Sequence, residues 1–520
     1  MSLVLLLFFL ALCLVLWWRL TSKPANFPPG PPRTPFLGSV LQMKSPWSSK
    51  PNIFWGIVEF QKQYGKVFGI YLGNLRTVVL TDYEDIKAVL NREESASRPP
   101  VVAVDVRPGW EYAVESEPVL NKDRPPGVIL SNGNYWRQQR RYVLKNLKDF
   151  GFGKSSMEDS LNEDVQKLLE HFKPQVGQPL SLNRMFNISI LNALWNILVG
   201  EKLPLDDPKL HKTVELLDEF LRVAEGPTSA LGAIVPFPAL LNLSFVKKLL
   251  GNDKLIAIFK RITDMIQPAI ADHKSTLDEN NMRDFVDLYL SEIKNTSDSG
   301  SSFHGSKGES NLCNVMIDLF LAGTETTSSS LVWAILFLLH HPECQDKIWC
   351  EIRAVIGQDR LPSLRDQDGM HYTNAFLHES FRFAALIPLS VFHFTFEEMR
   401  IRNLTIPKDT IIIPSVYHVM YDPETFPEPD KFKPERFLHN GAFVAHEHVI
   451  PFGIGKRSCL GKSLAEKEYF LFFTGFLQSF EILPAPGGKP LPKYGIADVP
   501  VAGLARTAPY YEVVLSARQS

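Results

Sequence analysis

Cysteine is scarce in this chain: five in 520 residues. Cys13, Cys313, Cys344, Cys350 and Cys459 are odd in number and irregularly spaced, with no Cys-x-x-Cys pair and no Cys/His zinc spacing. That excludes a disulfide framework and a zinc site, and it fits a reducing compartment. An excess of charge is also missing. Lys and Arg total 55 against 57 Asp and Glu, a net charge of −2, which argues against general nucleic-acid binding. No phosphate-binding loop is present. Gly151-Phe152-Gly153-Lys154-Ser155 and Gly453-Ile454-Gly455-Lys456-Arg457-Ser458 imitate one, but the required earlier glycine is replaced by Lys148 and Ile450. No Gly-x-Gly-x-x-Gly follows a strand either. Finally, no interior linker shifts the composition, so the length alone does not argue for two large domains.

What is present begins with a single long apolar run, Leu3 to Trp18, followed by Arg19 and Lys23. At about 1.5 Å per residue it is slightly short for a hydrocarbon core of roughly 30 Å, but Trp17 and Trp18 suit the interface. A cleaved signal peptide is the rival reading. No basic residue precedes the run and no small-x-small site follows it, so a retained anchor at residues 1–20 is expected. The positive charges behind the run place the remainder on the cytosolic side. The sequons at Asn187, Asn242, Asn295 and Asn403 would then go unused. Residues 21–40 hold Phe27-Pro28-Pro29-Gly30-Pro31-Pro32, which reads as a short stiff spacer. Residues 41–520 are expected to form the main domain.

Lys66 to Tyr71 and Thr77 to Leu80 read as two strands around a Gly73-Asn74 turn. After them the pattern is mostly helical. In Tyr135 to Lys148, Trp136 and Arg140 share a face, and Arg137, Arg141, Lys145 and Lys148 form a second, basic stripe. That stripe is either a solvated face or a docking surface for an acidic electron-donor protein. Ala230 to Leu250 is apolar but broken by two prolines, which leaves core helix and interfacial contact both open. Asn295 to Glu309 reads as a loop. Asn311 to His340 reads as one long helix with an odd centre, Ala322-Gly323-Thr324-Glu325-Thr326-Thr327-Ser328-Ser329-Ser330, a poor helical composition in an apolar context. A locally weakened, bent helix is expected there, with a groove beside it.

The remaining stretch is Phe452-Gly453-Ile454-Gly455-Lys456-Arg457-Ser458-Cys459-Leu460-Gly461, just ahead of a helical run from Lys462 to Phe480. Glycines permit tight turns, while Lys456, Arg457 and a helix N-terminus favour a thiolate. Locally, an inert cysteine in a glycine loop and a metal-bound thiolate both fit. The segment resembles the haem-binding loop of the cytochrome P-450 family, Phe-x-x-Gly-x-Arg-x-Cys-x-Gly, at every fixed position. Further segments agree: the proline hinge, Trp136-x-x-x-Arg140, Ala322-Gly323-Thr324-Glu325-Thr326-Thr327, and Glu379-Ser380-Phe381-Arg382 with Pro434-Glu435-Arg436-Phe437. Asp149-Phe150-Gly151-Phe152-Gly153 is similar to the microsomal family-two type.

The resemblance implies a mainly helical fold with small β-sheets and haem b buried between the long helix and the Cys459 loop. It makes Cys459 the axial iron ligand, and Phe452, Arg457 and Gly461 part of the cofactor loop. Arg98, Trp136, Arg140 and His393 would contact haem propionates, and Thr326 and Glu325 would hydrogen-bond bound oxygen and relay protons to it. Glu379, Arg382 and Arg436 would form a buried structural ion triad. Leu319, Phe320, Ala322, Ile387, Val391 and Val501 would line a substrate pocket, with stretches of Val101 to Pro118 and Ala230 to Phe245. The implied activity is monooxygenation of a lipophilic substrate at the endoplasmic reticulum membrane. Because no NADPH or flavin site is recognisable, electrons would arrive from NADPH through NADPH–cytochrome P-450 reductase, with cytochrome b5 as a further donor. An isomerase of the same fold and a non-catalytic haem protein are the rivals, and the Glu325-Thr326 pair speaks against both.

Overall fold

The computed structural model describes residues 20–43, 52–99, 126–149, 155–224, 252–487, 490–499, 501 and 504–518, together with 8–9, 13–15 and 17–18. Helix α1 (Ile53–Tyr64) leads into the hairpin expected from the sequence, β1 (Val67–Leu72) and β2 (Leu75–Leu80), which turns at Gly73 with φ of 62°. Helix α2 (Tyr83–Leu90) follows, capped by Asp82, whose side chain accepts from the Glu84 and Asp85 amides. A helical body comes next: α3 (Gly133–Asp149), α4 (Ser155–Phe172), the short strand β3 (Pro179–Leu180), α5 (Asn183–Val199), α6 (Pro208–Ala224), α7 (Asn252–Thr276), α8 (Phe285–Asn295), α9 (Gly305–His340), α10 (Pro342–Val355) and α11 (His371–Ala384). The C-terminal part carries β4 (His393–Phe394), β5 (Met399–Ile401), β6 (Leu404–Ile406), β7 (Ile411–Pro414), α12 (Val416–Met420), β8 (Leu438–His439), β9 (Ala442–Phe443), α13 (Lys462–Ser479), β10 (Phe480–Pro484) and β11 (Val513–Ala517).

The largest sheet has the order β1-β2-β7-β4, with β7 parallel to β2 and Val79 opposite Ile413. Its strands are buried and β-branched, and they return residues from beyond position 390 to the N-terminal hairpin. The proline segment is not a free spacer. Gly69 N–H donates to Pro29 O at 2.7 Å, and a Cβ on Gly30 would lie 1.8 Å from Gly69 O, so the segment is docked on β1. Prolines lack donors, but their carbonyls still accept from an edge strand.

Helix α9 is the axis of the fold. It is buried along most of its 36 residues and packs against α5, α8, α11 and α13. A helix apolar on nearly all sides belongs in an interior. It begins at Gly305, earlier than the sequence suggests, and the serine-rich segment before it is not loose: Ser302 is buried, its amide bonded to Gln138 and its hydroxyl to Gln139, both at 2.9 Å. The poor helical composition from Ala322 to Ser330 does not interrupt the helix, and its hydroxyls bond backbone carbonyls as the sequence suggests. Thr326 Oγ1 donates to Ala322 O (2.6 Å) and Ser330 Oγ to Thr326 O (2.8 Å), so the hydroxyls bond within the helix. Packing overrides the weak propensity.

Two acids are buried behind α9, Asp164 on α4 and Glu468 on α13. Burial, then the nearby Asp164, holds Glu468 well above the usual carboxylate range, with the Thr327 hydroxyl opposing. Burial likewise pushes Asp164 up to about 6 against the pull of Lys202. A carboxyl raised in the folded state binds its proton more tightly there than in the unfolded chain. Stability is therefore lost as pH rises above the unfolded carboxylate value, by up to about 1.4 kcal/mol per unit for each such group. Glu468→Gln is expected to flatten the decline in urea midpoint between about pH 5 and pH 8. An unchanged slope would rule out this account of Glu468.

Among the described residues no helix is long and apolar enough to cross a membrane. Most of the Leu3 to Trp18 run lies outside them, but Phe8, Phe9, Leu14, Val15, Trp17 and Trp18 are exposed. The segments Val101 to Pro118 and Ala230 to Leu250 also lie outside the described residues.

Candidate haem-thiolate site

The Cys459 loop is shaped by two glycines and the helix that follows. Gly453 and Gly455 have φ of 65° and 79°, and a Cβ at Gly455 would meet Leu90 O at 2.3 Å. Only glycine allows the loop to press against the end of α2, where Lys456 N–H donates to Leu90 O. The Cys459 amide donates to Phe452 O at 2.8 Å, which fixes the start of the turn into α13. The Cys459 side chain is exposed. Desolvation by the surrounding protein pushes the thiol up, while the amides of Gly461 and Lys462 and the Arg140 guanidinium pull it down. Phe452 lies edge-on to Phe381 of α11, with ring centroids 5.4 Å apart.

Beside the loop, cations converge from distant parts of the chain. Arg457 donates to Ala96 O (2.7 Å) and Ser131 O (2.5 Å), and its guanidinium lies 3.8 Å over the Trp136 ring. Arg98 donates to Val391 O (2.8 Å) and Phe392 O (2.9 Å), and Arg140 to Ser458 O (2.7 Å). Each of these bonds goes to a neutral carbonyl. Burial, then repulsion from neighbouring guanidiniums, pushes Arg98 and Arg457 down from the ordinary guanidinium value. His393 is buried against Ser95 O (2.9 Å) and held well below its ordinary value by burial and by Arg98. The Trp136 indole N–H is buried with no acceptor among the described residues. Arginine does not shed its proton in a protein. Such a cluster calls for anions.

On α9, Leu319, Ala322, Gly323 and Thr326 share one face by helical spacing. Ala322 is exposed and Thr326 half-buried. Glu325 points elsewhere: its Oε2 accepts from Asn187 Nδ2 of α5 at 3.0 Å, and Asn187 Oδ1 accepts from Ser328 Oγ. Gly323 lets α5 approach, since a Cβ there would lie 2.6 Å from Leu194 Cδ1.

Comparison with known proteins decides what this geometry is for. The family model for Cytochrome P450 matches residues 28–500. Cytochrome P450 2J2 of Homo sapiens is 34% identical over 485 residues, covering 92% of this chain and 91% of that protein. Cytochrome P450 2B4 of Oryctolagus cuniculus is 33% identical over 524 residues, 99% of each. Cytochrome P450 2D10 of Mus musculus is 35% identical over 492 residues, 93% of this chain and 91% of that protein. The chain belongs to the cytochrome P450 family.

Cytochrome P450 enzymes are haem-thiolate monooxygenases. The residues present fit the group: a sulfur with amide donors ahead of a helix, and a buried cationic cluster with an unpartnered indole N–H for a pair of carboxylates. Lower in this P450, Glu379 of α11 is fully buried and holds Arg382 through bonds of 2.6 and 2.9 Å. The Arg436 Nε and the Lys433 amide also donate to Glu379 Oε1, at 3.1 and 2.9 Å. The three residues thus tie α11 to the Pro434–Phe437 turn.

Of the residues expected to line a pocket, Phe320 is placed differently. It is buried in the main core and stacks on Trp195 at 5.6 Å, because it lies around the helix from Ala322. Leu319, Ile387 and Val391 are half-buried, and Val501 is buried near Leu389 and Ile496. Two residues of this P450 escaped the sequence reading. Asp318, fully buried in α9, accepts from the Val128 and Ile129 amides at 2.7 and 2.9 Å and so positions the Ile129 carbonyl used by Arg98 and Arg457. Its signal was an acid inside the apolar run Met316 to Leu321. Asn187 had no such signal beyond a sequon.

Proposed function

We propose that this P450 is a membrane-anchored monooxygenase of the endoplasmic reticulum, with its catalytic domain facing the cytosol. It inserts one atom of dioxygen into a fatty acid, steroid, terpenoid or xenobiotic, by hydroxylation or epoxidation, and the second atom leaves as water. Two electrons come from NADPH through NADPH–cytochrome P450 reductase, with cytochrome b5 as a further donor, and two protons from solvent complete the balance. The observation that carries this reading is the Cys459 sulfur beside a largely buried guanidinium cluster whose bonds, among the described residues, go to neutral carbonyls.

Cys459 would ligate the iron, and Arg98, Trp136, Arg140, His393 and Arg457 would hold the haem propionates. Bound there, the haem supplies the reductive activation of dioxygen, which a cysteinate ligand promotes. Phe452 and Gly461 shape the loop around the ligand. The Thr326 hydroxyl, now donating to Ala322 O, keeps lone pairs that accept a further bond and turns to donate into the site. Glu325, held by Asn187, is the proton reservoir one residue away. Leu319, Ala322, Ile387, Val391 and Val501 present a mostly apolar lining, which suits a lipophilic substrate. The exposed Arg137, Arg141 and Lys145 on α3 offer a face to an acidic partner.

Thr326→Ala tests the proton assignment. NADPH and oxygen should still be consumed with the reductase present, while product per NADPH falls about a hundredfold, the lower end of what general acid–base groups contribute. Product and peroxide are measured together. Full coupling in this variant would sink the role given to Thr326.

A further inference from the structure

We propose that a cationic recess at the turn end of the β1–β2 hairpin binds the phosphate headgroup of an anionic membrane lipid. The recess, about 540 Å³, lies at the turn between β1 and β2 and is lined by Lys23, Arg33, Tyr71, Arg76 and Asp409, among others. That volume falls in the roughly 300–1,000 Å³ range of small-ligand sites. Three cations face one carboxylate, and among the described residues none of the three is in an ion pair. Their bonds go to neutral oxygens: Lys23 Nζ to Gly30 O (2.8 Å), Arg33 to Asn74 Oδ1 (3.1 Å) and Arg76 to Lys408 O (2.9 Å). The Arg33 guanidinium lies 4.4 Å over the Tyr71 ring, and its Nε is buried with no acceptor among the described residues. A planar guanidinium with donors to spare, flanked by two further cations, matches a phosphate.

A second set of residues says where that phosphate comes from. Phe36, Leu37 and Leu41 are exposed by 43%, 39% and 59%, and they form an apolar tip beside the recess. The tip is tied to the recess wall by the Gly38–Leu72 bridge and by Ser39 N–H donating to Tyr71 O at 2.7 Å. On the other side the recess includes Ser22, whose amide donates to Trp18 O at 2.8 Å. The exposed Trp17 and Trp18 therefore run directly into it. Tryptophans of this kind sit at headgroup depth, and basic groups just behind them meet the phosphates. A soluble phosphate would need no apolar rim. This assignment rests on the membrane-anchoring reading above.

The test uses the full haem-loaded chain in phosphatidylcholine vesicles carrying spin-labelled phosphatidylserine or spin-labelled phosphatidylcholine. The motionally restricted fraction measures the preference for the anionic lipid. We expect a preference that weakens about fivefold with Arg33→Gln, and again with Arg76→Gln, the loss expected for removing one cation near an anionic surface. Arg141→Gln, a cation on α3, should leave it unchanged. The preference of the unsubstituted protein should also collapse at high salt, a result that needs no variant to fold. No preference, or one that survives the double substitution, overturns the proposal. So does displacement of the lipid by inorganic phosphate beyond that by chloride of equal ionic strength, since the recess would then serve a soluble anion. Alkaline extraction separates the two readings. Release of the protein defeats the anchor, whereas retention without anionic preference defeats only the recess.

Discussion

Alanine at Cys459 is expected to abolish the red-shifted Soret band of the reduced, carbon-monoxide-bound protein and, with it, all monooxygenation. The side chain is exposed and no other side chain packs on the sulfur as part of the core. Its backbone role, the amide bond to Phe452 O, survives the substitution. The loop is set by Gly453 and Gly455, and α13 by its own apolar face, so far-UV circular dichroism should be unchanged. What disappears is a single electron-rich ligand, which no nearby residue replaces: Ser458 and Leu460 flank it. A variant that keeps the shifted band would remove Cys459 from the iron and, with it, the proposed chemistry. An unshifted haem band in the unsubstituted protein would mean haem without a thiolate bond and would favour a non-catalytic role.

The second large effect is on stability. Glu379→Ala should cost about 3–5 kcal/mol, because it leaves a buried guanidinium without its counter-charge. Arg382 has no exposure, and its remaining partners, Met420 O and Pro429 O, are neutral carbonyls at 2.8 and 3.0 Å. Against a net stability of roughly 5–15 kcal/mol, that loss removes much of the folded population. Urea denaturation followed by circular dichroism reads the change, and little soluble haem-loaded protein should accumulate. Arg436→Met should cost less. Its side chain is 9% exposed and it shares Glu379 rather than supplying the main pair. A Glu379→Ala protein within about 1 kcal/mol of the parent would mean that the triad is not a buried ionic unit.

Both effects concern residues legible in the chain because their chemistry is local. The Cys459 loop is contiguous, Glu379 and Arg382 are one helical turn apart, and Thr326 sits in an unusual run within a long apolar helix. The hairpin of β1 and β2 was likewise written in two short apolar runs around a Gly73-Asn74 turn. Where the reading failed, the deciding interactions were long-range. Phe320 looked like a pocket residue until α5 supplied Trp195 for it to stack on. The proline segment looked like a spacer until β1 supplied an unpaired amide at Gly69.

The sequence by itself determined the family and the mainly helical class, since these rest on residue type and short spacing. Only the tertiary structure decided that Arg98, Arg140 and Arg457 meet around Trp136, that Asn187 holds Glu325, and that Asp318 positions the Ile129 carbonyl. Those contacts join residues tens to hundreds of positions apart. They exist because burying α9 on nearly every side leaves each neighbouring element one place to pack, and no local pattern encodes that place.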